Sequence, residues 1–335
     1  MFRHLKLILL LAIPFGWVAC GSIHEDLEPC EIYLEFRFDY NMEYTCSFVA
    51  QVPSVDVFIF DAEGKYLFTK QAATPTLLDG NRMALAGDLD FGTYNVLTVG
   101  GLNDTFRFSD SNGQNLTPGV TTLEEVQLAL RRSSNTVSHE FPHLWFGKAI
   151  EITYTGGLTE SKVWVVDLVR NTNNFTIVLS STDSGSGTRA EEVPYTFEIV
   201  TPEAAIYDSD NSPLRRTMTT YTPHTLTPGT EEGSLSVGHL NTVRLFHRNV
   251  GNYRLVIRDI KTQEVVWNYD LMVLLENTKP SRPDGTILPM QEYLDRQGEW
   301  HLVILHRGGP GSDDAFLAIA VQVNGWIFWL SDIEM

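Results

Sequence analysis

Apolar and polar positions alternate with a period of two along most of this chain, and Gly, Pro, Asn and Asp interrupt the alternation at short intervals. Glu31-Ile32-Tyr33-Leu34-Glu35-Phe36-Arg37-Phe38 sets charged against apolar positions, the pattern of a half-buried strand. Val55 to Phe60 is rich in β-formers, and Asp61-Ala62-Glu63-Gly64 turns it back into Tyr66-Leu67-Phe68, with Gly64 supplying the positive φ of a hairpin. Met83 to Leu89 and Tyr94 to Val99 read as two more strands. One helix is predicted: Thr121-Thr122-Leu123-Glu124-Glu125 can form a capping box ahead of Val126, Leu128 and Leu130. The nearly continuous apolar run Val163 to Val169 is followed by Arg170-Asn171-Thr172-Asn173 and then Phe175 to Leu179. Further strands are predicted at Tyr195 to Val200, Thr242 to Phe246, Tyr253 to Ile257, Val265 to Met272 and Trp300 to Leu305. The chain closes with Ala315 to Val323, Asn324-Gly325, and Trp326 to Leu330. Asn-Gly between two β-rich runs is a hairpin signal, because both turn residues tolerate φ > 0.

Many short strands with almost no helix indicate an all-β protein of antiparallel β-sandwiches. Two tandem sandwiches are expected, residues 30–171 and 172–335, meeting in the turn Arg170 to Asn173. The Ser/Gly stretch Ser180 to Thr188 lies between strands and reads as a loop tip. Val57, Ile59, Val165, Ile177, Ile319 and Val321 are expected to face cores. No internal repeat is visible.

The N-terminus departs from this pattern. Arg3 and Lys6 precede the apolar run Leu7 to Ile13, and Trp17-Val18-Ala19-Cys20-Gly21 places small residues around a cysteine. This is the arrangement of a bacterial lipoprotein signal, with residues 1–19 removed and the Cys20 thiol acylated; an ordinary secretory peptide is the plainer alternative. The apolar stretch falls short of the ~20 residues that a spanning helix needs. Residues 20–29 then form a lipidated, acidic tether holding a globular body to a membrane.

The formal net charge is −18, and the leader contributes two bases and no acid. Such a surface repels nucleic acid and anionic headgroups, which argues against both as partners. Cys30 and Cys46 either pair, as an oxidising envelope favours, or remain two buried thiols. His139-Glu140-Phe141-Pro142-His143 has the letters of a zinc protease motif, but Pro142 breaks the helical turn that would set both histidines on one face. Asp208-Ser209-Asp210-Asn211 and Asp110-Ser111-Asn112-Gly113 lack the distal glutamate of a calcium loop and read as solvated turns. No nucleophile elbow or dinucleotide fingerprint is present, so no catalytic residue, metal or cofactor is expected. Trp326, Phe328 and Trp329 either stack on a sugar or fill a sandwich core.

Several of these stretches resemble a known family. The acidic Glu25-Asp26-Leu27-Glu28-Pro29-Cys30 after Cys20, Phe36 to Tyr44, Val57 to Gly64, His143-Leu144-Trp145-Phe146-Gly147, Asp167 to Asn173, Tyr293-Leu294-Asp295-Arg296 and Val323-Asn324-Gly325-Trp326 follow, in order, the fimbrial anchor lipoproteins. These are FimB-like relatives of the minor-fimbrium anchor subunit of type V fimbriae. The resemblance implies two transthyretin-like sandwiches, no enzymatic activity, and a place on the outer membrane. Stem subunits of such fimbriae lose their first segment to an arginine-specific protease, opening a groove that a neighbour's strand fills. Here the first arginine after Cys20 is Arg37, inside the predicted first strand, so that strand is expected to be kept. An anchor of this kind stays membrane-bound and ends the polymer.

The expected partners are therefore outer-membrane lipid, through acylated Cys20, and a fimbrial stem subunit, through strand addition. The donor is placed in the C-terminal hairpin, with Ile319, Val321 and Val323 filling the partner's groove around the Asn324-Gly325-Trp326 turn. A surface glycan-binding lipoprotein and a tip adhesin of the same fibre are the competing readings.

Overall fold

The computed structural model describes residues 31–155, 161–183, 192–231, 233–247, 252–309 and 314–330. The first half runs β1 (Ile32–Arg37), the short helix α1 (Phe48–Gln51), β2 (Ser54–Phe60), β3 (Tyr66–Ala73), β4 (Arg82–Ala84), β5 (Gly92–Gly100), β6 (Phe106–Ser109), β7 (Gln127–Leu130), β8 (Thr136–Val137), β9 (Trp145–Tyr154) and β10 (Lys162–Arg170). The second half runs β11 (Thr172–Ser181), β12 (Tyr195–Thr201), β13 (Ile206–Tyr207), β14 (Thr219–Tyr221), β15 (Thr225–Pro228), β16 (Ser234–Val243), β17 (Arg254–Asp259), β18 (Val265–Asp270), the helices α2 (Leu271–Asn277) and α3 (Met290–Arg296), then β19 (Glu299–Arg307), β20 (Leu317–Val323) and β21 (Trp326–Trp329).

The protein is all-β. In the first half the strand order is β3-β2-β5-β9-β10-β1-β4. β10 belongs to both layers: Lys162 to Asp167 lies parallel to β1, while Leu168 to Arg170 pairs antiparallel with β9. The sheet thereby folds onto itself, and Ile32, Leu34 and Phe36 of β1 face Val57, Ile59, Val96 and Ile152 across a core. β2 is buried on both faces, which explains why apolar residues run without alternation from Val57 to Phe60. Val57 and Ile59 enter this first core, whereas Phe58 and Phe60 enter a second one.

The second core belongs mainly to the other half, where a six-stranded sheet β15-β16-β11-β19-β20-β21 packs with β18-β17-β12-β14-β8. The halves are interwoven. β13 of the second half joins β7 and β6 of the first, and β8 of the first half joins β14 of the second, so each half completes a sheet of the other. The chain leaves the first set of strands at Arg170 and enters the six-stranded sheet at Thr172.

Two hairpins match the sequence reading. Gly64 has φ +78°, and Asn324 and Gly325 have φ +48° and +91° between the paired Val323 and Trp326. The helix predicted after Thr121 is not formed. Its capping box exists, but around a single 3-10 turn, Leu123–Glu125. Val126, Leu128 and Leu130 are then buried at every second position of an extended segment, a period that a strand satisfies and a helix does not. Residues after Asp270 are helical instead of extended, since the Asp270 carboxylate accepts from the amides of Met272 and Val273 and caps α2.

Among the expected core residues, Val57, Ile59, Ile177 and Val321 are fully buried. Val165 is only half-buried, because Val166 and Leu168 occupy the core face of β10. Ile319 is also half-buried. Leu305 pairs with Ala320 and His306 with Ala318, so Ile319 is the extra residue of a bulge and leaves the core face to Ala318.

Candidate functional site

Segments far apart in sequence converge where the two halves meet. Tyr40 to Tyr44, His143, Arg170 to Asn173 and Tyr293 to Arg296 assemble around Asn171, the single residue between β10 and β11. The Asn171 amide donates to the Leu144 carbonyl at 2.7 Å, and its carbonyl accepts from the Arg244 amide at 2.8 Å. Its side chain exchanges two hydrogen bonds with that of Asn211, at 2.5 and 2.8 Å, and both residues are buried. Asp208 shapes the turn that presents Asn211, its carboxylate accepting from the amides of Asp210 and Ser212.

Three arginines brace the junction, and two of them, Arg170 and Arg296, reach across it with their side chains. Arg296, on α3, lies between the rings of Tyr40 and Tyr44, 4.2 and 4.4 Å from their centroids. It donates to the carbonyls of Asp39 at 3.2 Å and Asn41 at 3.0 Å, and pairs with Glu292 at 2.8 Å. Arg244 forms a two-pronged pair with Asp295, at 2.7 and 2.8 Å, and also donates to the Asn211 carbonyl. Burial works against the Arg244 charge, but the Asp295 hydrogen bonds and charge outweigh it and raise its pKa. Arg170 donates to Gln51 and to Glu299, and its buried Nε meets no hydrogen-bond partner among the described residues. Burial pulls the Arg170 pKa down, with Glu299 acting in the opposite direction.

A polar cleft of about 450 Å³ opens beside these residues, lined by Asn41, Gln51, Arg170, Arg296, Gln297 and Glu299. His143 joins its wall, with Nδ1 3.0 Å from the Thr172 hydroxyl and Nε2 2.9 Å from the Glu299 carboxylate. Both ring nitrogens are thus engaged. No group of three or more His, Cys, Asp and Glu side chains able to hold a metal occurs among the described residues. Asp110 caps its own turn, accepting from the amides of Asn112 and Gln114.

The second feature is the edge of the six-stranded sheet. β21 is the outermost strand, and Trp326, Ile327 and Trp329 are 61%, 56% and 52% exposed. Phe328 packs toward the second core. β20 is an inner strand between β19 and β21, and Val321 and Val323 are fully buried in this chain's own core. The expected donor surface therefore changes: the free edge is β21, and Val321 and Val323 are already in use. Asn324 is held on both sides, its amide donating to the His301 carbonyl and its side-chain oxygen accepting from the His301 amide.

Cys20 and Cys30 lie outside the described residues, and Cys46 is exposed and free. Among the described residues no helix is long and apolar enough to cross a membrane. The convergence at Asn171 was not legible beforehand. Tyr40, Tyr44 and Arg296 all fall in stretches singled out by resemblance, yet nothing in a single sequence brings residues so distant together.

The family model described as fimbrillin-A associated anchor proteins Mfa1 and Mfa2 matches residues 27–332. Among solved structures, the chain is similar to a candidate adhesin from Bacteroides ovatus, at 46% identity and a TM-score of 0.84, with 94% of this chain and 99% of that one covered. It is similar to a candidate polysaccharide-binding protein from Bacteroides thetaiotaomicron, at 27% identity and a TM-score of 0.76, covering 90% and 99% of the two chains. The fimbrial anchor protein Mfa2 from Porphyromonas gingivalis shares the fold, at 16% identity and a TM-score of 0.64, covering 89% and 98%. No curated protein matches.

Proposed function

The chain belongs to the family of fimbrillin-A associated anchor proteins, and from that premise we propose that it is a non-enzymatic fimbrial subunit that holds a fibre on the outer membrane and ends its assembly. The observation that carries this reading is the state of β1. Ile32, Leu34 and Phe36 are fully buried, and the strand is paired on one side with β10 and on the other with β4. A stem subunit needs that place vacant to accept a neighbour's strand; a subunit that keeps its first strand cannot extend the polymer from there. Arg37 closes β1, so a protease would have to reach a strand already hydrogen-bonded into its sheet.

Retention of β1 keeps the body joined to the tether and to acylated Cys20, which supplies the membrane attachment. Engagement of the stem subunit is assigned to β21. In a two-residue hairpin the residues flanking the turn bond to each other, so Trp326 and Phe328 turn their amides toward β20 and Ile327 and Trp329 turn theirs outward. Those outward groups and the exposed Trp and Ile side chains suit an incoming strand. Ile327→Pro removes one outward donor and leaves the hairpin's own bonds in place. Crosslinking at this edge should capture a stem subunit with the native protein and lose it with Ile327→Pro. Unchanged capture with a folded Ile327→Pro variant would reject this edge.

One observation favours a second reading. The likeness to a candidate polysaccharide-binding protein, together with exposed Trp326 and Trp329, suits a surface glycan-binding lipoprotein. Loss of oligosaccharide binding on replacing both tryptophans, in cells whose fibres stay attached, would put that reading first.

A further inference from the structure

On the reading that tension enters through the tether before β1 and leaves through the C-terminal hairpin, we infer that the fold is a shear clamp in which two parallel strand pairs carry the pull lengthwise. β1 lies parallel to β10, in register from Ile32 opposite Lys162 to Arg37 opposite Asp167. The tether joins the N-terminal end of β1. The chain leaves this pair at the C-terminal end of β10, through Asn171 into β11. Tension therefore draws the two strands in opposite directions along their common axis. The evenly spaced, slanted hydrogen bonds of a parallel ladder are then loaded together, whereas strands pulled apart from one end lose them one at a time. Sliding β1 would also drag Ile32, Leu34 and Phe36 out of close-packed sites in the first core.

The second half repeats the arrangement. β11 is pulled at its N-terminal end, Thr172, and lies parallel to β19 from Asn174 opposite Glu299 to Ser181 opposite His306. β20 runs antiparallel to β19, and β21 antiparallel to β20, so β21 points the same way as β11. A fibre pulling on β21 therefore opposes the pull at Thr172 along the strand direction. Asn171, the one residue between the two ladders, is held to β9 by the Leu144 contact and to the second half by Arg244 and Asn211. The crossing peptide is braced on both sides.

Single-molecule pulling tests this on the isolated, unlipidated Cys20→Ala protein, with Cys30→Ser and Cys46→Ser so that no bridge across β1 diverts the load. One form carries handles at the two chain ends. The other carries them at the N-terminal end and at Ser161→Cys, an exposed position beside the N-terminal end of β10, so that β1 is peeled and not sheared. The first rupture should need a several-fold higher force in the end-to-end form. Equal or lower force end to end would overturn the clamp. These forces are read without cells or fimbriae, so retention of fibres in a deletion strain would refute anchoring and leave this measurement standing.

Discussion

The junction makes its strongest demand on Arg244. Its guanidinium and the Asp295 carboxylate are 12% and 5% exposed, and the pair is closed by two hydrogen bonds of 2.7 and 2.8 Å. A third donor reaches the Asn211 carbonyl at 3.1 Å, and the guanidinium lies 4.9 Å from the Phe246 ring centre. Arg244→Met keeps most of the volume and removes all of these. Asp295 is then left buried with the Gln291 amide, 2.9 Å away, as its remaining side-chain partner. Breaking a buried pair from one side costs ~3–5 kcal/mol. At ~2–4 °C per kcal/mol for a unit of ~150–250 residues, the midpoint of the transition that melts the second half should fall by about 6–20 °C. Arg244→Met with Asp295→Leu removes both charges, and the double variant should recover at least half of the loss. Thermal and urea unfolding of the unlipidated protein, Arg244→Met, Asp295→Leu and the double variant measure this cycle. A single variant within ~1 kcal/mol of the parent, or a double variant showing no coupling, would refute the assignment of the pair as the lock between α3 and the segment that follows β16.

Two further outcomes are expected. His306 is fully buried and stacked on Phe316, with ring centres 4.6 Å apart; burial lowers its pKa, against weaker opposing contributions from the Arg307 and Gly308 backbone and Asp183. The unfolded chain therefore takes up a proton near the ordinary value of 6.5 while the folded protein does not, so this contribution to stability is complete above that pH and is lost as pH falls toward the folded pKa. The slope of unfolding free energy between pH 6.5 and 5 should be up to about 1.4 kcal/mol per unit steeper in the parent than in His306→Leu, and equal slopes would contradict the buried neutral imidazole. Cys20→Ala should move the protein from the membrane fraction to the soluble one on detergent partitioning; unchanged partitioning would remove the lipid tether from the account.

Much of the fold was written locally. The alternation from Ile32 to Phe36 specifies a half-buried strand, and Asn324-Gly325 specifies its turn, because both signals act within a few residues. The capping box at Thr122 was local too, and it formed, but three residues of 3-10 turn satisfied it and the alternation after Val126 decided the rest. Ile319 was misplaced because a bulge belongs to a strand pair and not to a strand. The same limit hid the functional geometry. That the far side of β21 is the free edge depends on β19, the strand before β20, docking on the distant β11. The brace around Asn171 depends on side chains from Tyr40 to Arg296, whose proximity is a property of the packed chain alone.

Whether this subunit keeps fibres on the cell is tested by deleting its gene and measuring where the fibres are. Stem subunit in the medium and on the cell surface would be quantified in the parent, the deletion strain and the deletion strain carrying the gene in trans. Anchoring requires fibres to be shed into the medium in the deletion strain and restored to the surface by complementation. Fibres that remain attached at parental length and number without this protein would contradict it.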